Sequence, residues 1–191
     1  MVISIRLIEK SSIIVLTLLL LSLLSGCFAP PENDGGEDFV FTTLDGTTKH
    51  LSDYRGKVII LDMWAIWCGP CQFQMTELKK VYENYSGGIL EILSIDVDQY
   101  ETSYDIQVFK DEFMSDYDVE LNWVFGMDDG SIWEKYKLED EGIPVVYIFD
   151  QRGNIHFSNE GVAVFSEIPE WWPEDVPEPP KLAPYLEELL E

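Results

Sequence analysis

The chain of 191 residues is strongly acidic, because 36 acidic side chains outnumber 12 basic ones and give a formal net charge of −24. A surface of this charge repels phosphate backbones, which argues against nucleic acid as a partner. Hydrophobic residues make up 46% of the chain and aromatic residues 13%, enough for a buried core rather than a disordered polypeptide. The length favours one domain with additional segments.

The N-terminal part of the chain has the layout of a secretory signal peptide. Arg6 and Lys10 precede an apolar run at 13–24, which is shorter than the ~20 residues that a membrane-spanning helix needs. A pair of small residues, serine and glycine, follows this run, and Cys27 comes next. The segment therefore predicts export across the cytoplasmic membrane.

The sequence LSGC at 24–27 resembles a lipoprotein signal, in which the peptide is cleaved before the cysteine and the cysteine sulfur is lipidated. This interpretation removes residues 1–26 as the signal peptide and anchors Cys27 to the cell membrane. Residues 27–38, with their prolines, glycines and acids, then form a flexible tether. An uncleaved signal anchor or ordinary cleavage nearby is the alternative. All of these place the folded part, residues 39–191, outside the cytoplasmic membrane.

The folded part alternates apolar strands with amphipathic helices, which predicts an α/β sheet covered on both faces. The predicted elements, in chain order, are a hairpin that turns at Asp45-Gly46, strands at 58–63 and 89–97, a strand–turn–strand from 143 to 158, and helices at 72–85, 105–114, 131–138 and after 180. Ser131 is the expected N-cap of its helix. Residues 98–122 form a central insert. The proline-rich residues 169–180 lack regular structure, and they either bind a partner or, as we favour, pack over the sheet edge.

Cys68 and Cys71 stand two residues apart, between a predicted buried strand and the helix that follows it. Zinc would need four ligands, and the other cysteine and the two histidines are isolated from one another along the chain. A purely structural disulfide between residues so close in sequence would constrain little chain entropy. The layout instead favours a redox-active pair.

The expected position of Cys68 at a helix start gives its sulfur a specific reactivity. Pro70 fits the first helical turn, and Gly69 leaves the approach to the sulfur uncrowded. Unpaired N–H groups and the positive helix end stabilise a thiolate, so the pKa of Cys68 should lie below the ~8.5 of free cysteine. Cys71 lies one turn deeper and should be less acidic. We therefore expect Cys68 to attack a substrate disulfide and Cys71 to resolve the resulting mixed disulfide.

The segment DMWAIWCGPC at 62–71 resembles the active-site segment of thioredoxins. Residues 39–165 resemble the membrane-anchored, TlpA-like thiol:disulfide oxidoreductases of that superfamily, and GIPVVYIFDQRGNI at 142–155 is similar to a second family motif. The resemblance implies a thioredoxin fold, which is an α/β fold with a central mixed β-sheet flanked by helices, here with an N-terminal β-hairpin extension and a central insert. It also implies a protein-disulfide oxidoreductase with no cofactor other than the Cys68–Cys71 disulfide.

The resemblance assigns roles to further residues. Asp62 takes the position of the family's buried acid, where desolvation would raise its pKa and let it carry a proton to or from Cys71. The alternative is an acid that is held by a polar partner for structure alone. Pro144 matches the family's cis-proline. The substrate-binding surface that the resemblance implies consists of Trp67, Gly69, Pro70, Ile143 and Pro144.

The favoured function is reduction of protein disulfides outside the cytoplasmic membrane, because the Gly-Pro pair between the cysteines resembles that of strongly reducing thioredoxins. Its partners would be protein substrates and a transmembrane electron donor, which a lipid anchor in the membrane would help it meet. A peroxiredoxin-like peroxidase is one alternative, although that family's Pro-x-x-x-Thr-x-x-Cys arrangement is absent before Cys68. A non-catalytic binding or assembly lipoprotein of the same fold, with its cysteines locked in a disulfide, is another.

Overall fold

The computed structural model describes residues 36–85 and 87–190. The predicted signal peptide, the predicted lipidation site Cys27 and most of the predicted tether lie outside these residues. Within the described part of the chain, every helix is too short or too polar to cross a bilayer.

Seven strands form one mixed sheet with the order β2-β1-β5-β4-β3-β6-β7. The central strand β3 pairs in parallel with β4 and antiparallel with β6. The strands are β1 (Val40–Thr43), β2 (Thr48–His50), β3 (Val58–Trp64), β4 (Leu90–Asp96), β5 (Val124–Met127), β6 (Val145–Phe149) and β7 (Ile155–Glu160). The helices are a short 3-10 helix (Leu51–Tyr54), α1 (Gly69–Asn84), α2 (Ser103–Tyr117), α3 (Ser131–Tyr136) and α4 (Ala183–Leu190). The predicted α/β class, with its N-terminal hairpin and its helical insert between β4 and β5, is confirmed.

The strand β3 is buried along its whole length, as its nearly continuous apolar sequence predicts. Alternate side chains face opposite sides of the sheet. Ile60 and Trp64 belong to the core under α1, α2 and α4, whereas Ile59 and Leu61 belong to the core under the hairpin and α3. Because Asp62 lies midway between Ile60 and Trp64, its side chain faces the side that α1 covers.

The start of α3 differs from the prediction that Ser131 caps it. Its N-cap is Gly130, with a φ of 99° that favours glycine. The carboxylate of Asp128 supplies the cap instead, because it accepts hydrogen bonds from the backbone N–H groups of Ile132 (2.9 Å) and Trp133 (2.8 Å). An acid two residues before the N-cap thus satisfies the donors that a capping serine would have satisfied.

The described end of the predicted tether is part of the folded structure. The backbone N–H of Glu37 donates to the carbonyl of Gly153 at 2.8 Å, and the hydroxyl of Tyr136 donates to the Glu37 carboxylate at 2.9 Å. The carboxylate of Asp38 accepts a hydrogen bond from the backbone N–H of Ser52 at 2.8 Å. The ordered contacts of the domain therefore begin before residue 39.

Residues 169–180 form turns and extended chain without helix or strand. The ring of Trp171 packs edge to face on the ring of Phe73, with 5.1 Å between the ring centroids. Phe73 lies on α1, so this segment packs against the cysteine-bearing helix rather than over the sheet edge. The sequence predicted packing but not this position.

Candidate active site

Cys68 and Cys71 are joined by a disulfide at the start of α1, with 5.2 Å between their Cα atoms. Cys68 is the N-cap of this helix, and the backbone N–H of Cys71 donates to its sulfur at 3.2 Å. Cys71 is completely buried, and Cys68 retains 3% exposure. In the dithiol form the same N–H would donate to a Cys68 thiolate, and a hydrogen bond to the charged form lowers a thiol pKa.

The loop that precedes β6 lies beside the disulfide. Because β3 and β6 are antiparallel neighbours, with Met63 opposite Val145, the end of β3 lies beside the start of β6. The peptide bond between Ile143 and Pro144 is cis, as the resemblance implies. The carbonyl oxygen of Ile143 lies 3.7 Å from the sulfur of Cys68, so this loop contacts the less buried of the two cysteines.

The residues that the resemblance assigns to substrate binding surround Cys68. Trp67, Gly69 and Pro70 are exposed next to the sulfur, whereas Ile143 is half-buried. Pro144 is buried, and its carbonyl accepts a hydrogen bond from the backbone N–H of Gly161 at 2.8 Å. The structure brings these residues together, and their contact with substrate stays a prediction.

Asp62 is fully buried on the side of the sheet that α1 covers, where Cys71 is also buried. Burial raises the pKa of the Asp62 carboxyl to about 7, although a hydrogen bond from the Ser94 hydroxyl (2.8 Å) opposes the shift. The other carboxyl oxygen has no hydrogen-bond partner among the described residues. A buried acid with a pKa near neutrality can both accept and release a proton.

The sequence analysis missed the polar partners of Asp62. Ser94 lies opposite Asp62 in the parallel register of β3 and β4, and its hydroxyl also accepts a hydrogen bond from the indole N–H of Trp123 at 2.9 Å. The available signal was a single hydroxyl in the apolar strand that follows the cysteine helix. This chain of hydrogen bonds orients the carboxyl within the core.

An acidic loop at 97–101 holds the segment that precedes Cys68. The indole N–H of Trp67 donates to the Asp98 carboxylate at 2.7 Å, and the backbone N–H of Ile66 donates to the Glu101 carboxylate at 3.0 Å. Burial and the nearby Glu101 raise the pKa of Asp96 above its ordinary value. Sequence reasoning gave these acids no role. Asp98 and Glu101 lie within the insert and Asp96 at the end of β4, so they come near the segment before Cys68 only in the folded chain.

Two buried side chains connect α1 to the C-terminal part of the domain. The Gln74 side-chain oxygen accepts a hydrogen bond from the backbone N–H of Ala163 at 2.7 Å. The Glu77 carboxylate accepts one from the backbone N–H of Phe165 at 3.0 Å. Both side chains are almost completely buried. The chain after β7 therefore supports the helix that carries the cysteines.

A mixed sheet with a Cys-x-x-Cys disulfide at the start of the helix after its central strand, beside a cis-proline loop, defines a thioredoxin-fold protein. The chain belongs to the AhpC/TSA family, whose sequence model matches residues 33–158. The predicted membership of the thioredoxin superfamily and the predicted fold are thereby confirmed.

Named relatives agree with this assignment. The chain is 28% identical to the thiol-disulfide oxidoreductase ResA of Geobacillus kaustophilus over 118 residues, which are 62% of this chain and 63% of the relative. It is 36% identical to ResA of Geobacillus thermodenitrificans over 76 residues, 40% of this chain and 42% of the relative. These matches span less than two thirds of either relative. A solved thioredoxin-like protein from Aeropyrum pernix is 26% identical, with a TM-score of 0.52 over 64% of this chain and 81% of that chain.

Proposed function

We propose that the protein is a thiol:disulfide oxidoreductase, anchored by lipid at Cys27 to the outer side of the cytoplasmic membrane, that reduces protein disulfides. The observation that carries this proposal is the Cys68 sulfur at the start of α1, within 3.2 Å of the Cys71 N–H and 3.7 Å of the Ile143 carbonyl. The ResA relatives, which are named thiol-disulfide oxidoreductases, support the same reaction class.

The reaction begins from the dithiol form. The Cys68 thiolate attacks one sulfur of the substrate disulfide, so that a Cys68–substrate bond forms and the other substrate sulfur leaves as a thiolate. Cys71 then loses its proton and attacks the Cys68 sulfur, which breaks the mixed disulfide and releases the second substrate thiolate. Two electrons pass from the cysteine pair to the substrate, and the Cys68–Cys71 disulfide remains.

Asp62 is the proposed acceptor of the Cys71 proton. It is buried on the same side of the sheet, and its pKa of about 7 allows the carboxylate to be present at neutral pH and to become protonated during resolution. The cysteine pair carries both electrons, so the exchange itself needs no bound cofactor. Repeated turnover needs an external electron donor, for which we propose a membrane protein that the lipid anchor brings close.

The direct test is the reduction of insulin disulfides by dithiothreitol, followed as insulin precipitation, with the full-length protein in detergent. Catalytic amounts of the protein should shorten the lag before precipitation, because dithiothreitol reduces the Cys68–Cys71 disulfide back to the dithiol form after each exchange. Cys27→Ser is the matched control, since it removes a cysteine that lies outside the proposed redox pair. An unchanged lag would contradict the proposal, and turnover of hydrogen peroxide without a disulfide substrate would favour the peroxidase alternative.

Mass spectrometry of the protein extracted from membranes tests the anchor. We expect the mature chain to begin at Cys27 and to carry the added mass of a lipid on that residue. Cys27→Ser should leave the signal peptide attached or release the protein from the membrane. A mature chain with an unmodified Cys27, or one that begins elsewhere, would show that the lipoprotein interpretation is wrong.

A further inference from the structure

A cavity of about 620 Å³ opens beside the cysteine pair. Trp67 and Ile143 both contribute to its wall. Trp67 directly precedes Cys68, and the carbonyl of Ile143 lies 3.7 Å from the Cys68 sulfur. A polypeptide that presents a sulfur to Cys68 therefore places a neighbouring side chain at the mouth of this cavity.

Three aromatic residues line the cavity, namely Trp67, Tyr100 and Trp133. Tyr100 is 94% exposed and Trp67 is 68% exposed, although burial of a large aromatic side chain usually stabilises the folded state. The Asp98 carboxylate orients both segments, because it accepts hydrogen bonds from the Trp67 indole N–H at 2.7 Å and from the Tyr100 backbone N–H at 2.9 Å. The Trp67 and Tyr100 rings thus stay largely exposed at the surface in the described part of the chain, whereas the Trp133 ring is partly buried against the core.

The charged side chains that line the cavity, Asp98 and Glu141, are both acidic, and no basic residue lines it in the described part of the chain. The Lys137 ammonium nitrogen lies 3.4 Å from a carboxylate oxygen of Glu141, but it also lies 3.2 Å from a carboxylate oxygen of Glu134. One positive charge shared between two carboxylates does not neutralise the wall. The cavity therefore combines aromatic faces with an excess of negative charge.

We propose that this cavity is a subsite for a cationic side chain, arginine above all, that lies next to the reacting cysteine of an extended polypeptide substrate. Aromatic faces attract cations through the ring quadrupole, and carboxylates hydrogen-bond to the guanidinium. Arginine suits the site better than lysine, because its planar group stacks on rings and is less strongly hydrated. The inference rests on the proposed function and narrows its substrates to disulfides in basic segments.

The test compares two synthetic peptides whose single cysteine forms a mixed disulfide with thionitrobenzoate. The peptides differ only at a residue flanking the cysteine, which is arginine in one and its neutral analogue citrulline in the other. The full-length protein is first reduced, the reductant is removed, and the second-order rate of thionitrobenzoate release is measured. We expect a rate about tenfold higher for the arginine peptide at low ionic strength, equivalent to about 1.4 kcal/mol, and a smaller ratio in high salt.

Combined replacement of Tyr100→Leu and Glu141→Gln should bring the arginine-to-citrulline ratio close to one. Both side chains are largely exposed, so their replacement leaves the core intact. The matched control combines Tyr104→Leu and Glu139→Gln, which remove an exposed ring and an exposed charge that do not line the cavity. This control should retain the tenfold ratio.

The outcomes separate the two proposals. Equal rates for the two peptides would overturn the subsite and leave the oxidoreductase function standing. A preference for arginine that survives Tyr100→Leu with Glu141→Gln would also overturn the subsite, because the net charge of −24 would then be the cause. A preference that disappears in the control would overturn it as well, because the control residues do not line the cavity. Failure to react with either peptide would overturn the proposed function itself.

Discussion

Cys68→Ser is expected to abolish disulfide reduction, whereas Cys71→Ser is expected to preserve the attack and block the release of substrate. The difference follows from the structure, because Cys68 is the less buried sulfur and receives the helix-terminal N–H, while Cys71 is enclosed. With insulin as substrate, Cys68→Ser should give the rate of dithiothreitol alone. Cys71→Ser should accumulate a covalent mixed disulfide that is visible on a non-reducing gel.

The double variant Cys68→Ser with Cys71→Ser controls for the fold, since it should bind neither insulin chain covalently and should remain folded by circular dichroism. A mixed disulfide on Cys68→Ser instead of on Cys71→Ser would reverse the assigned roles. Undiminished reduction by Cys68→Ser would remove the catalytic interpretation altogether.

Asp62→Asn is expected to stabilise the oxidised protein at alkaline pH. The folded state raises the pKa of this carboxyl from 3.8 to about 7, so the native protein binds more protons than the unfolded chain between those values. The free energy of unfolding therefore falls as the pH rises from about 4 to about 7, and the loss persists above that range. At about 1.4 kcal/mol for each pH unit, the burial of this acid costs up to about 4 kcal/mol.

Urea denaturation of the disulfide-bonded protein at about pH 4 and about pH 8 measures this effect. The variant should match the wild type in acid and exceed it by up to about 4 kcal/mol in alkali. Asp116→Asn, which neutralises an exposed acid on α2, is the control and should leave the stability unchanged at both values. A pH-independent difference for Asp62→Asn would contradict the shifted pKa.

The same substitution separates the catalytic role of Asp62 from a structural one. If Asp62 accepts the Cys71 proton, Asp62→Asn should slow resolution of the mixed disulfide and remove an inflection near pH 7 from its rate profile. An altered stability with an unchanged pH–rate profile would leave the residue structural.

The sequence predicted the parts of the site that local pattern determines. The continuous apolar run of β3 predicted a central buried strand, and the two cysteines with Pro70 between them predicted the start of α1. The position of Asp62 within an apolar strand predicted a raised pKa, because burial of a lone acid acts through desolvation wherever the strand lies in the core.

The contacts between distant segments could not be predicted. Ser94 reaches Asp62 only through the register of two parallel strands, which the periodicity of either strand leaves open. Glu101 and Asp98 reach the segment before Cys68 only when the insert folds back on the sheet. The capping error at Ser131 has a local cause, because Asp128 competes for the same N–H groups and Gly130 permits the geometry that lets it do so.

The hydrogen bonds that the backbone after β7 donates to Gln74 and Glu77 set the minimum length of a functional domain. A redox unit excised at the end of β7 would keep both sulfurs and the cis-proline. It would nevertheless leave a core amide and a core carboxylate on the cysteine-bearing helix without those donors, and such orphaned groups are costly. Transfer of the redox site to another scaffold therefore requires the residues that follow β7 as well as the Cys-x-x-Cys motif.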